Sequence, residues 1–270
     1  MTDARYRTYM DTAKGQDYTR HNPWRSPGHA PLFSPCGIAG GGATYHPSNG
    51  AVNKGTNVDQ GSDGRGTLPY SLPKPTVWTQ GSEAEVGWSI TANHGGGYAY
   101  RLCPKSAPQT EECFQAHHLS LKGDESYIVY GALAEKPGAR MPISALRLST
   151  GTAPSGSQWT RNPIPACKST SGGVGQGFNC SGLPPQFSPP LPGLYGYGKA
   201  ECFKALGGQC TSAQEALLRK FFNFNIVDKL DVPSSLALGN YTLSFRYDAE
   251  QTPQVWSNCA DVMVVAPGRE

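Results

Sequence analysis

The chain has 270 residues, of which 37 % are hydrophobic, 16 % charged and 10 % aromatic, with 33 glycines and 23 prolines. That mixture excludes a disordered chain and suits one large, loop-rich all-β domain. The net charge of +3 comes with no basic run, which argues against nucleic acid or an anionic membrane as partner, and no stretch of about 18 apolar residues is present to span a bilayer.

Residues 1–30 are polar and aperiodic, and an extended N-terminal arm is expected there. A single β-sandwich domain is expected over residues 31–266. "CGIAGGGATYHPSNG" and "GSDGRGTLP" are turn signals that leave little room for long elements between 34 and 75. Regular structure begins at "PTVWTQGSEAEVGWSITANH", where Val86, Trp88 and Ile90 alternate with polar residues as in a half-buried strand. "GYAYRLCP" continues with Tyr98, Tyr100 and Leu102 on one face, and 124–150 reads as one or two short strands or part of a helix.

A Pro/Gly/Ser-rich insertion fills about 151–210. A loop of that length is functional or tied down. "TSAQEALLRKFFNF" carries a helix signature, with Thr211 or Ser212 as N-cap and Glu215 near the third position. Two strands close the chain, "YTLSFRYD" and "CADVMVV". The fold expected is an all-β, antiparallel immunoglobulin/fibronectin-like β-sandwich with long disulfide-tied loops and one short helix.

Eight cysteines with no tight C-x-x-C pair favour disulfides in an oxidising compartment over a zinc site. "NCS" at Asn179 and "NYT" at Asn240 are glycosylation sequons. Together they predict a secreted chain. The polar N-terminus holds no export signal, which is expected ahead of Met1. A cytosolic protein with reduced thiols is the other reading.

Phosphate-loop, G-x-S-x-G and H-E-x-x-H motifs are absent from the sequence. Of six histidines, His29 and His46 lie in Gly/Pro loops, and His117 and His118 read as exposed loop residues beside Cys113. His94, in "TANHGGGYAY", stands at the end of an expected strand and next to three glycines. An imidazole on a rigid strand beside bare backbone suits a solvent-facing metal that meets a large substrate.

"ANHGGGYAYRLCP" followed by "EECF", the ending "YTLSFRYDAEQTPQVWSNCADVMV" and, more weakly, "SPCGIAGG" resemble lytic polysaccharide monooxygenases of the invertebrate and algal type. The resemblance covers 77–115 and 239–265 well, 22–42 moderately and the middle hardly at all. It implies one copper ion in a histidine brace, formed by the amine and imidazole of a first histidine and by an internal imidazole that maps onto His94. It also implies an axial position at Trp256, where tyrosine or phenylalanine is usual, and an oxygen-facing glutamine at Gln254. The alternatives are a core aromatic and a surface polar residue. The first histidine has no match here, because residue 1 is Met and His21 is internal, so it is expected upstream of this sequence.

The activity implied is oxidative cleavage of a β-1,4-linked polysaccharide surface, chitin or cellulose, with an external electron donor. The alternative is a non-catalytic carbohydrate-binding or cell-wall structural protein on the same fold. Trp24, Tyr98, Tyr100, Trp159, Tyr195 and Tyr197 are then candidates to stack on sugars, although the alternation of Tyr98 and Tyr100 favours core packing for that pair. The disulfides expected are Cys103–Cys113 as a local clasp, Cys36–Cys259 between the ends, and Cys167–Cys180 and Cys202–Cys210 closing loops.

Overall fold

Apolar alternation along five long strands builds two facing sheets with one core between them. The computed structural model describes residues 6–8, 23–30, 32, 35–36, 44–45, 52–53, 74–90, 93–130, 138–166, 185–191, 224–251 and 255–268. The strands are β1 (Tyr6–Thr8), β2 (Thr44–Tyr45), β3 (Val52–Asn53), β4 (Thr76–Thr79), β5 (Glu83–Trp88) and β6 (Gly97–Pro104). They continue with β7 (Ser120–Leu121), β8 (Glu125–Tyr130), β9 (Arg140–Ser144), β10 (Arg147–Leu148) and β11 (Trp159–Arg161). The long strands β12 (Phe224–Asp231), β13 (Gly239–Asp248) and β14 (Val255–Val265) complete the set.

One sheet runs β1-β14-β13-β6-β11-β10, and β4 joins β14 as a parallel neighbour. The other runs β5-β12-β8-β9, with β7 also on β12. The remaining pairs within these two sheets are antiparallel. The expected all-β sandwich is therefore present. Between the sheets lie Val86, Trp88 and Ile90 from one side and Tyr98, Tyr100, Leu102, Tyr241, Leu243 and Tyr247 from the other. Trp88 and Tyr98 meet with ring centroids 4.8 Å apart.

β12 has no counterpart in the sequence reading. It alternates Phe224, Ile226, Asp228 and Leu230 inward, so a carboxylate enters the core. Tyr98 donates to Asp228 Oδ2 at 2.8 Å, Ser126 to Oδ1 at 2.5 Å, and Arg147 Nη1 to Oδ1 at 3.0 Å. The ion pair and the two hydroxyls make that burial tolerable.

The first sheet is buried on both faces along the middle of β6 and β13. Its outer face carries Arg101, Thr242, Ser244, Arg246 and Asp248, all fully buried. Segment 23–36 and the short helix α1 (Glu111–Gln115) cover them. Arg246 Nη2 donates to the Ala30 carbonyl (2.7 Å), Gly28 N to Asp248 Oδ2 (2.8 Å) and Ser244 Oγ to the Pro35 carbonyl (2.9 Å). Glu111 Oε1 sits between Arg101 Nη1 (2.5 Å) and Arg246 Nη1 (2.7 Å). Disulfide Cys36–Cys259 fastens the cover to β14, and Cys103–Cys113 fastens α1 to β6.

Several expectations change. The region 124–150 forms strands β8, β9 and β10, and β11 lies within the long insertion. The described helix is α1, capped by Thr110, whose hydroxyl accepts from Cys113 N at 3.4 Å. The expected helix at "TSAQEALLRKFFNF" falls outside the described residues up to Phe224, which opens β12. Cys167, Cys180, Cys202, Cys210 and Asn179 also lie outside them. Among the described residues no helix is long and apolar enough to cross a membrane.

Candidate functional site

β5 ends at Trp88 and β6 begins at Gly97, so His94 stands in the loop between them and not on a strand. Four neighbours fix this loop through its backbone. The His94 N–H donates to the Tyr247 hydroxyl at 3.2 Å, and that hydroxyl donates to the Gly95 carbonyl. The His94 carbonyl accepts from Glu250 N (3.0 Å) and Gln251 N (2.9 Å). Buried Asn93 donates to the carbonyls of Ile164 (3.1 Å) and Pro165 (3.0 Å). Its own oxygen accepts from Gly95 N (3.0 Å) and from Asn162 Nδ2 (2.9 Å).

A charged pair closes the rim. Glu250 Oε2 accepts from Gly96 N at 3.2 Å and from Arg161 Nη2 at 3.1 Å, and the Arg161 guanidinium lies 4.6 Å from the centre of the Phe187 ring. Burial pushes the Tyr247 phenol well above its usual range, so it stays a protonated donor at any ordinary pH. None of Asn93, Arg161, Tyr247 or Glu250 stood out as a site residue in the sequence. The one local signal was an asparagine directly before the histidine.

The glycines have a packing reason. Gly95 and Gly96 have φ of +65° and +78°, a region that side chains with a Cβ rarely adopt. A Cβ on Gly96 would stand 2.0 Å from the Asp248 carbonyl oxygen, and one on Gly97 would stand 2.3 Å from both the Trp24 ring and the Thr160 carbonyl oxygen. What approaches Gly96 and Gly97 is therefore the protein's own backbone and Trp24. The expectation that the bare backbone beside His94 faces a large substrate is corrected at those two.

His94 is 8 % exposed, which corrects the expectation of an imidazole open to solvent: the turn at Gly95–Gly96 and the 247–251 segment enclose it. Trp256 packs against the core from β14, directly across from Tyr247. Gln254 lies outside the described residues. Trp24, Tyr98, Tyr100 and Trp159 are buried and closed to a sugar, whereas Tyr195 and Tyr197 lie outside the described residues.

His117 and His29 are exposed, but His118 is not the exposed residue expected. Both its ring nitrogens are shut from water and lack hydrogen-bond partners. The ring lies 6.0 Å from that of Trp159, and burial followed by repulsion from Arg101 and Arg246 lowers its pKa to about 3.

Among the described residues no three His, Cys, Asp or Glu side chains gather as a metal cage. At this loop they offer one imidazole, His94, whereas the brace needs three nitrogens. The described residues alone thus do not fit copper, and no reaction step is derived through it.

The fold and this histidine loop define a class, a β-sandwich with one imidazole held beside the first sheet. No protein-family model matches the chain. The chain is similar to the AA13 family lytic polysaccharide monooxygenase A of Pyricularia oryzae (strain 70-15 / ATCC MYA-4617 / FGSC 8958), with 23 % identity over 238 residues. The match covers 83 % of this chain and 53 % of the relative, so the chain spans about half the length of the curated protein it matches. The similarity supports a distant, family-level relationship to lytic polysaccharide monooxygenases.

Proposed function

We propose that the chain is a secreted, lytic polysaccharide monooxygenase-like protein that acts oxidatively on a β-1,4-linked polysaccharide, chitin or cellulose. The observation that carries this reading is a similarity extending over 83 % of the chain. In this reading His94 contributes one imidazole to copper, on a loop immobilised through both its N–H and its carbonyl. Donors outside the described residues complete the set. Copper when bound supplies oxygen activation, with electrons from an external donor. Trp256 and Gln254 would, by the resemblance, tune the surroundings of the bound metal. Tyr247 and Glu250 hold the backbone that carries the imidazole.

Copper titration of the native secreted protein tests this. One tight ion per chain is expected, with affinity lost in His94→Ala and oxidised oligosaccharides released when a reductant is present. Equal copper affinity in wild type and variant eliminates the reading. Chitin, cellulose and an α-linked glucan assayed in parallel decide the substrate.

A binding-only protein on the same sandwich is the second reading, and the burial of His94 favours it. It predicts retention on chitin or cellulose that is indifferent to chelator and reductant.

A further inference from the structure

Beyond the reach of segment 23–36, the outer face of the first sheet exposes apolar side chains beside the Lys105–Asp261 ion pair. Leu238, Val77 and Met263 are 55 %, 52 % and 36 % exposed. Register makes them neighbours. Asn240 lies opposite Met263 on β14, and Met263 lies opposite Val77 on β4, so one row crosses three strands. The row points outward, because the alternate residues Tyr241, Val262, Val264 and Trp78 belong to the core between the sheets. Leu238 lies two residues before Asn240, in the bend that leads into β13. Met263 is thus the cross-strand neighbour of Asn240, Val77 lies one strand beyond, and Leu238 precedes the asparagine in the chain.

That asparagine opens the sequon Asn240-Tyr241-Thr242. Its side chain is exposed, and its backbone carbonyl accepts from Lys105 N at 2.9 Å. We propose that Asn240 carries an N-linked glycan whose first sugars lie over Leu238, Met263 and Val77. The donor is a lipid pyrophosphate-linked oligosaccharide. The side-chain amide nitrogen bonds to sugar C1, the bond from C1 to the pyrophosphate oxygen breaks, the amide loses a proton, and the lipid pyrophosphate departs as the leaving group.

The fold also sets the order of events. Thr242, whose hydroxyl the transferase must read, is fully buried once β13 pairs with β6 and β14. Attachment therefore precedes folding of this strand. Afterwards the C–H faces of the sugars match the apolar row, and their hydroxyls give it the polar cover that exposed apolar patches on soluble proteins lack. The inference is independent of copper at His94. It requires passage through a secretory compartment, in keeping with the two disulfides.

The test uses the full chain with Asn179→Gln, exported from a eukaryotic cell line so that Asn240 holds the remaining sequon. Peptide mass mapping is expected to find an N-acetylhexosamine-containing series on Asn240, converted to aspartate by peptide N-glycosidase and missing in Asn240→Gln. Anilinonaphthalene sulfonate binding is expected to rise several-fold in Asn240→Gln and to fall back when Val77→Thr and Met263→Thr are added. Should Asn240→Gln not be exported, enzymatic deglycosylation of the folded glycoprotein gives the same comparison. An unmodified Asn240 in exported, folded protein overturns the site. A modified Asn240 whose loss leaves dye binding unchanged overturns the seating of the glycan on the apolar row.

Discussion

The Tyr247 hydroxyl accepts from His94 N and donates to the Gly95 carbonyl, so one phenol holds two successive residues of the loop. Tyr247→Phe keeps the ring packing and removes both contacts. It is expected to lower stability by about 1–3 kcal/mol in denaturant titrations and to speed amide exchange at residues 94–96. His118 predicts a pH effect. Its pKa falls from 6.5 to about 3 on folding, so between those values the unfolded chain binds a proton that the folded chain refuses. Stability therefore falls as pH drops through that window, by on the order of 4 kcal/mol in full. His118→Phe should flatten the slope there, read as the difference between the two unfolding curves against pH. The sequence placed His118 in an exposed loop because what buries it is remote: Arg101, Trp159 and Arg246 come from three different strands.

Strands were legible where one face alone is apolar or aromatic. Val86, Trp88 and Ile90 were read inward and lie in the core, as do Tyr241, Leu243 and Tyr247. β12 escaped because Asp228 interrupts its apolar period and a helix-like run precedes it. Asp228→Ala would strand the Arg147 guanidinium and the Tyr98 hydroxyl. A loss of about 3–5 kcal/mol is expected on thermal unfolding, and Asp228→Asn should lose less because it keeps acceptor and shape. The loop of His94 was read as strand because the alternation ending at Ile90 leads straight into it, and a positive φ leaves no trace in hydrophobic pattern. Glycine variants test its geometry. Gly96→Ala and Gly97→Ala meet atoms at 2.0 and 2.3 Å, whereas Gly123, with φ of +65°, has open space around it. Gly123→Ala should cost about 1–2 kcal/mol from conformation alone, and the other two distinctly more, in the same unfolding assay.

Among the described residues two packed sheets carry a cover, and the cover is the part that local pattern could not announce. Thr242, Ser244 and Arg246 look like the solvent face of β13, yet all three are buried, Ser244 and Arg246 against Pro35 and Ala30. Cys36–Cys259 ties that cover down across 223 residues. Cys36→Ser with Cys259→Ser is expected to remove about 4–5 kcal/mol on the chain-entropy account. Hydrogen exchange should then rise first in residues 23–36, ahead of β6 and β13.

The outer margin of β14 is shared by two short strands, β1 against Ser257, Trp256 and Val255, and β4 against 262–265. At the far end of the same sheet stands β10, only two residues long. Neither margin offers a lengthy row of vacant amides on which a foreign chain could dock and propagate. Among the described residues the sheet is in this sense self-terminating, and fibre growth templated on its two margins should be slow.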